Sequence, residues 1–134
     1  MPLQVELVSP ERILYTGEAE MVIARTLGGG DIAFMPGHAP FVGALDIATL
    51  TIRTEAGDEL VAVHGGFVEV SGDRVTILSD VAELASQIDV ERARRAKERA
   101  EEAMRHRHDA ALEAAARRAH VRLRAAGGLS GIPA

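Results

Sequence analysis

Arginines in two spaced pairs are the side chains best placed for chemistry. Arg92 and Arg99 are seven residues apart, and Arg118 and Arg122 are four apart. On helices each pair lies on one face and can present guanidinium forks to phosphate oxygens. Basic helix faces are equally often solvated or paired with acidic neighbours, so both readings stand at this point. His106 and His108 form an i, i+2 pair, but no Cys, Asp or Glu set completes a metal site around them, and a solvated turn is the better reading. Gly28-Gly29-Gly30 lacks the lysine and hydroxyl of a Walker loop, and no helical pattern follows it, so a strand-connecting turn is expected there. Gly-x-Ser-x-Gly is absent, and neither a Ser-His-Asp set nor a carboxylate pair is readable. No catalytic residue and no metal ligand is expected, which argues against an autonomous enzyme.

Two apolar segments are unusual for strands that merely fill a core. The stretch Phe34-Met35-Pro36-Gly37-His38-Ala39-Pro40-Phe41-Val42 sets prolines and a glycine among large apolar groups, which predicts a stiff loop whose side chains lean on something. In His64-Gly65-Gly66-Phe67 the paired glycines permit positive φ or a close backbone approach ahead of a strand. Met35, Pro36, His38, Phe41, Val42, Gly65 and Gly66 are therefore candidates for a partner-binding surface, beside the plainer reading of a sheet corner.

These groups must be held by two dissimilar parts. Val and Ile occur 16 times through residue 86 and 4 times after it, whereas Ala occurs 10 and then 13 times, a change from strand-favouring to helix-favouring composition. Charge divides at nearly the same place: residues 1–88 carry 13 acidic and 4 basic side chains, and residues 89–134 carry 7 acidic and 11 basic. An acidic β domain over 1–86 and a basic helical hairpin over 87–134, ending in a short Gly-rich tail, follow from this. The whole chain carries a net charge of -5, which disfavours broad binding to nucleic acid or to anionic membrane surfaces. Cysteine is absent, excluding disulfide frameworks and thiolate chemistry. The longest apolar runs, such as 32–35, span four residues, too short for membrane insertion or a signal-peptide core.

Strands are expected at 3–8, 13–15, 20–25, 31–34, 48–53, 59–63, 67–70 and 74–78. Apolar residues alternate in Leu3-Gln4-Val5-Glu6-Leu7 and in Arg74-Val75-Thr76-Ile77, so each strand would bury one face. Short strands with frequent turns predict an antiparallel β-sandwich. Asp89 can cap a helix to about residue 106 and Asp109 a second to about 126, with Gly127-Gly128 as the stop. The second helix carries one narrow stripe, Leu112, Ala116, Ala119, Leu123 and Ala126, facing Ala93, Ala96, Ala100 and Ala103 of the first. Such an alanine seam buries little apolar area and holds weakly.

Several segments carry a resemblance in order: Leu7-Val8-Ser9-Pro10-Glu11-Arg12, Met35-Pro36-Gly37-His38-Ala39-Pro40, Gly65-Gly66-Phe67-Val68-Glu69-Val70, Arg74-Val75-Thr76-Ile77-Leu78 and Ile88-Asp89-Val90-Glu91-Arg92-Ala93. With the Ala- and Arg-rich hairpin that follows, the chain resembles the epsilon subunits of bacterial rotary F-type ATP synthases. The resemblance implies a non-catalytic rotor subunit of a proton-driven ATP synthase, peripheral on the cytoplasmic face of the cell membrane. Its sandwich would grip the gamma subunit and rest on the c-ring. Its hairpin would brake ATP hydrolysis by reaching the alpha/beta catalytic head. No cofactor is required, but ATP is implied as a regulatory ligand, because 88–93 fits the pattern Ile or Leu, Asp, two variable residues, Arg, Ala found in nucleotide-binding members. By that similarity Glu83, Ile88 and Asp89 would meet the adenine and ribose, and Arg92, Arg99, Arg118 and Arg122 the phosphates. Mitochondrial counterparts carry a transit peptide, and Met1-Pro2-Leu3-Gln4-Val5-Glu6 contains no arginine of the kind such a leader uses. A free nucleotide sensor and a scaffold or carbohydrate-binding sandwich with a coiled-coil tail are the rival classes. The 3% aromatic content argues against sugar binding.

Overall fold

Leu3, Val5 and Leu7 are buried while Gln4 is exposed, so the alternation written in the first strand is realised as one dry and one wet face. The computed structural model describes residues 2–127. Its strands are β1 (Leu3–Val8), β2 (Ile13–Ala19), β3 (Met21–Thr26), β4 (Gly30–Phe34), β5 (Phe41–Thr54), β6 (Gly57–Ser71), β7 (Arg74–Leu78) and β8 (Ala82–Leu84). A single 3-10 turn at Ala85–Gln87 leads to α1 (Val90–Met104) and α2 (Ala110–Ala125). The strands run in the order β2-β1-β7-β6-β5-β3-β4, with β8 added to β6. The β1–β7 pair is parallel and the others are antiparallel. The sandwich-plus-hairpin class expected from the sequence is the one observed.

Four strands depart from expectation, the first being β2, which continues to Ala19 past the expected end at 15. β5 starts at Phe41 instead of 48, β6 runs unbroken where two strands were expected, and β8 was not foreseen. The reason lies at Gly65 and Gly66, whose φ values of 86° and 123° carry the strand through a bend without ending it. Core positions change parity there: Val61 and Val63 point inward before the glycines, and Val68 and Val70 after them. β5 makes the same change between Leu45 and Leu50. The long β5–β6 hairpin thus passes from one layer of the sandwich to the other. Gly66 is also sterically required, because a Cβ would collide with the Leu78 carbonyl oxygen and stand 3.0 Å from Ser79 Cα.

Both helices begin where the acids predicted. The Asp89 side chain accepts from the Arg92 amide at 3.0 Å, and Asp109 accepts from the Ala111 amide at 2.8 Å, which satisfies first-turn donors. Gly127, at φ 81°, follows the end of α2; Gly128 and the rest of the expected tail lie outside the described residues. The expected seam is present, with Ala93, Ala100, Ala119 and Leu123 buried. The single stripe on α2 needs correction. Val121 and Ala125 form a second buried stripe that packs, with Ile47, Leu60 and Ile88, on Ala62 of β6. Because α2 lies between α1 and the sheet, it needs two apolar faces.

Candidate functional site

Register alignment explains which side chains meet beneath α2. Glu83 of β8 stands opposite Ala62 of β6, and Ala62 stands opposite Thr49 of β5, so these residues share one face of the sheet. His64, two positions along β6 and opposite Ile47, lies on that face as well. Against it α2 delivers a row of arginines. Arg122 Nε donates to Glu83 Oε1 at 2.6 Å, and Arg117 donates from Nη2 to Asp46 Oδ1 at 2.6 Å. The same Glu83 oxygen lies 3.4 Å from His64 Nε2. Among the described residues, the acidic sandwich and the basic hairpin are therefore joined by the Arg117–Asp46 and Arg122–Glu83 ion pairs and the Ala62 cluster.

The electrostatics follow from this packing. Burial, reinforced by the Arg122 and Arg118 charges, holds the His64 imidazole below its ordinary value, against the opposing pull of Glu83. For Asp46, burial pushes the carboxyl upward. The Arg117 and Ile47 hydrogen bonds and the Arg117 and Arg25 charges outweigh it, leaving Asp46 below the usual carboxylate range. His64 Nδ1 has no hydrogen-bond partner among the described residues.

The residues matched to nucleotide binding divide into three situations. Glu83, Ile88 and Arg122 are brought into one cluster by the ion pair and by packing on Ala62. Asp89 serves as the cap of α1. Arg92 and Arg99 are exposed, and among the described residues neither forms an ion pair, while the half-buried Arg118 faces His64 electrostatically. Arg122 thus meets an acidic neighbour, whereas Arg92 and Arg99 remain open to an anion. His64, Asp46 and Arg117 were missed by sequence reasoning. The charge asymmetry between the two halves was the available signal, but it names no pairs.

The candidate partner surface also divides. The 35–40 loop is hooked to the β6–β7 turn by the Gly37 amide, which donates to Asp73 Oδ1 at 3.0 Å. Met35 and Pro36 are exposed. His38 and Phe41 instead lean on the fully buried Phe34, with ring centroids 5.0 and 5.5 Å from it. Phe41 belongs to the core margin, which corrects its reading as a free interface anchor. Val42 lies on the outer face of β5, 71% exposed. A row of cross-strand neighbours, Ile13, Val8, Leu78, Phe67 and Ala44, crosses five strands near the glycine bend, and Phe67 is 57% exposed. Beside it lies a groove of about 410 Å³ lined by Ser9, Pro10, Gly65, Gly66 and Ser79 among others. Ile13, Leu78 and Phe67 leave much of this apolar row open to solvent.

Gly28 to Gly30 form the expected β3–β4 turn, closed by Thr26 Oγ1 donating to the Gly30 carbonyl at 3.1 Å. His106 lies 3.3 Å from Glu102 at the helix end and is exposed. No described helix is long and apolar enough to cross a membrane, and no cluster with metal-binding geometry occurs among the described residues.

Residues 2–85 match the family model for the ATP synthase delta/epsilon chain beta-sandwich domain, and residues 86–127 match that for its long alpha-helix domain. The chain is 50% identical over 124 residues to the ATP synthase epsilon chain of Streptomyces griseus, covering 92% of this chain and 94% of the relative. To the ATP synthase epsilon chain of Brevibacillus brevis it is 56% identical over 100 residues, 74% of this chain and 75% of the other. A chain of the Euglena gracilis mitochondrial ATP synthase shares the fold with a TM-score of 0.68 at 23% identity, over 91% of this chain and 75% of that one. With its sandwich and its capped helical hairpin both accounted for, this chain belongs to the ATP synthase delta/epsilon family, as an epsilon chain.

Proposed function

We propose that the chain is a non-catalytic rotor subunit of the ATP synthase central stalk, peripheral on the cytoplasmic face of the cell membrane. The sandwich docks on the gamma subunit and the c-ring, and the hairpin acts as a releasable brake on ATP hydrolysis. The observation that carries this reading is the way the hairpin is attached. The sandwich has its own core of buried residues, whereas among the described residues α2 is held to it by the Arg117–Asp46 and Arg122–Glu83 pairs and a small cluster around Ala62. Such an attachment can be released without unfolding the domain beneath it. Once free, the basic helices are attracted to acidic surfaces of the alpha/beta head. The row from Ile13 to Ala44 and the tip at Met35 and Pro36 supply two distinct surfaces. The row crosses β7 at Leu78, and the tip is tied to Asp73 beside its other end, about 13 Å away at the usual strand rise. One surface for gamma and one for the c-ring fits that separation. ATP fits as a regulatory ligand of the closed hairpin, met by Arg92 and Arg99.

The test is truncation after Ser86 in reconstituted enzyme. Proton-coupled ATP synthesis should persist, and ATP hydrolysis should rise when the hairpin is removed. Unchanged hydrolysis would deny the brake, and failure of gamma and the c-ring to co-purify with the sandwich would deny the docking role.

A further inference from the structure

His64 occupies an odd position for an imidazole. Its side chain is 3% exposed, under α2 and beside the glycine bend. The charged and titratable groups facing it are Glu83 on β8, and Arg118 and Arg122 on α2, with Asp80 lining the same groove. When the ring is neutral and carries its proton on Nε2, it donates to Glu83 Oε1, and Nδ1 is left as an unpaired buried acceptor. A second proton has to go to Nδ1, where no acceptor waits for it among the described residues. It would also place a cation beside two arginines, and the Glu83 carboxylate, the one within hydrogen-bond reach among the described residues, is already engaged by Arg122 at 2.6 Å. Both costs disappear when α2 leaves: the ring gains water, the two arginines depart with the helix, and Glu83 stays behind on the sheet as a partner.

We propose that His64 is a proton-operated latch beneath the hairpin: protonation of this ring releases α2 from the sandwich. The idea rests on the hairpin being mobile, as in the function proposed above, and adds a signal that sets its position. The docked state disfavours the proton and the released state accepts it, so docking is fully supported above the ordinary imidazole value near 6.5. It weakens as pH falls below that value, by up to tenfold in the docked-to-released ratio per pH unit. Asp46 lies below the usual carboxylate range, and ordinary carboxylates titrate below about pH 5, so the window from about 6.5 to 5 belongs to the imidazoles. His38 lies in the 35–40 loop, and His106 and His108 lie at or just beyond the end of α1. His120 is also held below its ordinary value, by burial and then by Lys97 and Arg124, against Glu101. Its charged neighbours are on the two helices, so its titration acts on the α1–α2 seam.

The chain has no cysteine, so Ala56→Cys in the β5–β6 turn and Ala111→Cys at the start of α2 give two unique labelling sites. Energy transfer between dyes there, in the full chain, is followed from pH 8 to 5. Transfer should be steady above pH 7 and fall below about 6.5, with His120→Gln behaving in the same way. His64→Gln, shown to be folded by its circular dichroism at pH 8, should stay docked throughout. An identical fall in His64→Gln overturns the latch. So does steady transfer in the parent if an Asp46→Asn and Glu83→Gln double variant is released, since the hairpin then moves but not in response to this proton. Steady transfer in the parent together with no release in the double variant overturns both the latch and the mobile hairpin on which it rests.

Discussion

Arg122 on α2 donates to Glu83 on β8 across 2.6 Å, although the two residues are 39 positions apart and belong to halves of opposite charge. Their side chains are each 29% exposed, dry enough for the hydrogen bond to count and wet enough for either partner to be resolvated when it breaks. Arg122→Gln should therefore weaken docking by about 1–2 kcal/mol. Trypsin reports this directly, because the hairpin is rich in arginine: cleavage in α2 should accelerate while the sandwich stays intact. Combining Arg122→Gln with Glu83→Gln should cost less than the sum of the single changes. Strict additivity would mean that the two groups act independently.

Phe41 and Val42 are adjacent and should respond oppositely to a charge. Phe41 packs on Phe34 at the half-buried core margin, so Phe41→Asp should lower stability by about 3 kcal/mol through lost packing and a partly desolvated carboxylate. Val42 points outward, and Val42→Asp should change stability by no more than about 0.5 kcal/mol while weakening association with gamma or the c-ring. Melting curves and co-purification separate the two effects. A large fall in melting temperature for Val42→Asp would place it in the core.

Those neighbours also show what the sequence could convey. Strand alternation in Leu3 to Leu7 and the caps Asp89 and Asp109 are local signals, read from a few consecutive residues, and the structure follows them. The inward turn of Phe41 depends on where β5 begins, and that depends on pairing with Val70 across the sheet, which no local pattern states. The Val121 and Ala125 stripe was hidden for a similar reason. Alanine is compatible with solvent, with a helix seam or with a sheet face, and only the position of α2 decides which. Arg92 and Arg122 looked alike as helical arginines. Glu83, placed opposite Ala62 by a short strand that was not foreseen, is what distinguishes them.

Gly66 and Gly28 both have positive φ, but only one is hemmed in. A Cβ on Gly66 meets the Leu78 carbonyl, whereas one on Gly28 meets nothing within 4 Å. Gly28→Ala should cost about 1 kcal/mol, the strain of a left-handed backbone alone. Gly66→Ala should cost more than about 3 kcal/mol, since the β6–β7 pairing must move as well. Denaturant melts of the two variants measure the difference, and equal costs would show that the bend relaxes easily.

ATP, if it closes the hairpin, must find cationic partners that are not already engaged. Arg122 is paired with Glu83, and to reach a phosphate it would have to exchange one carboxylate for another anion at little net gain. Arg92 and Arg99 are exposed on α1 and, among the described residues, have no ion-pair partner to give up. The double variant Arg92→Ala and Arg99→Ala should therefore lose about 2–4 kcal/mol of ATP affinity, from two charge-assisted contacts, while Arg122→Ala should lose markedly less. At a ligand concentration 100 times its dissociation constant, ATP should stabilise the closed form by about 2.7 kcal/mol, visible as slower tryptic cleavage of the hairpin. Calorimetric titration of the full chain measures the affinities. The absence of heat at millimolar ATP would remove the nucleotide from this switch. Equal losses from Arg92, Arg99 and Arg122 would instead mean that the Glu83 pair opens to admit the phosphates, making the docking contact and the ligand site one and the same.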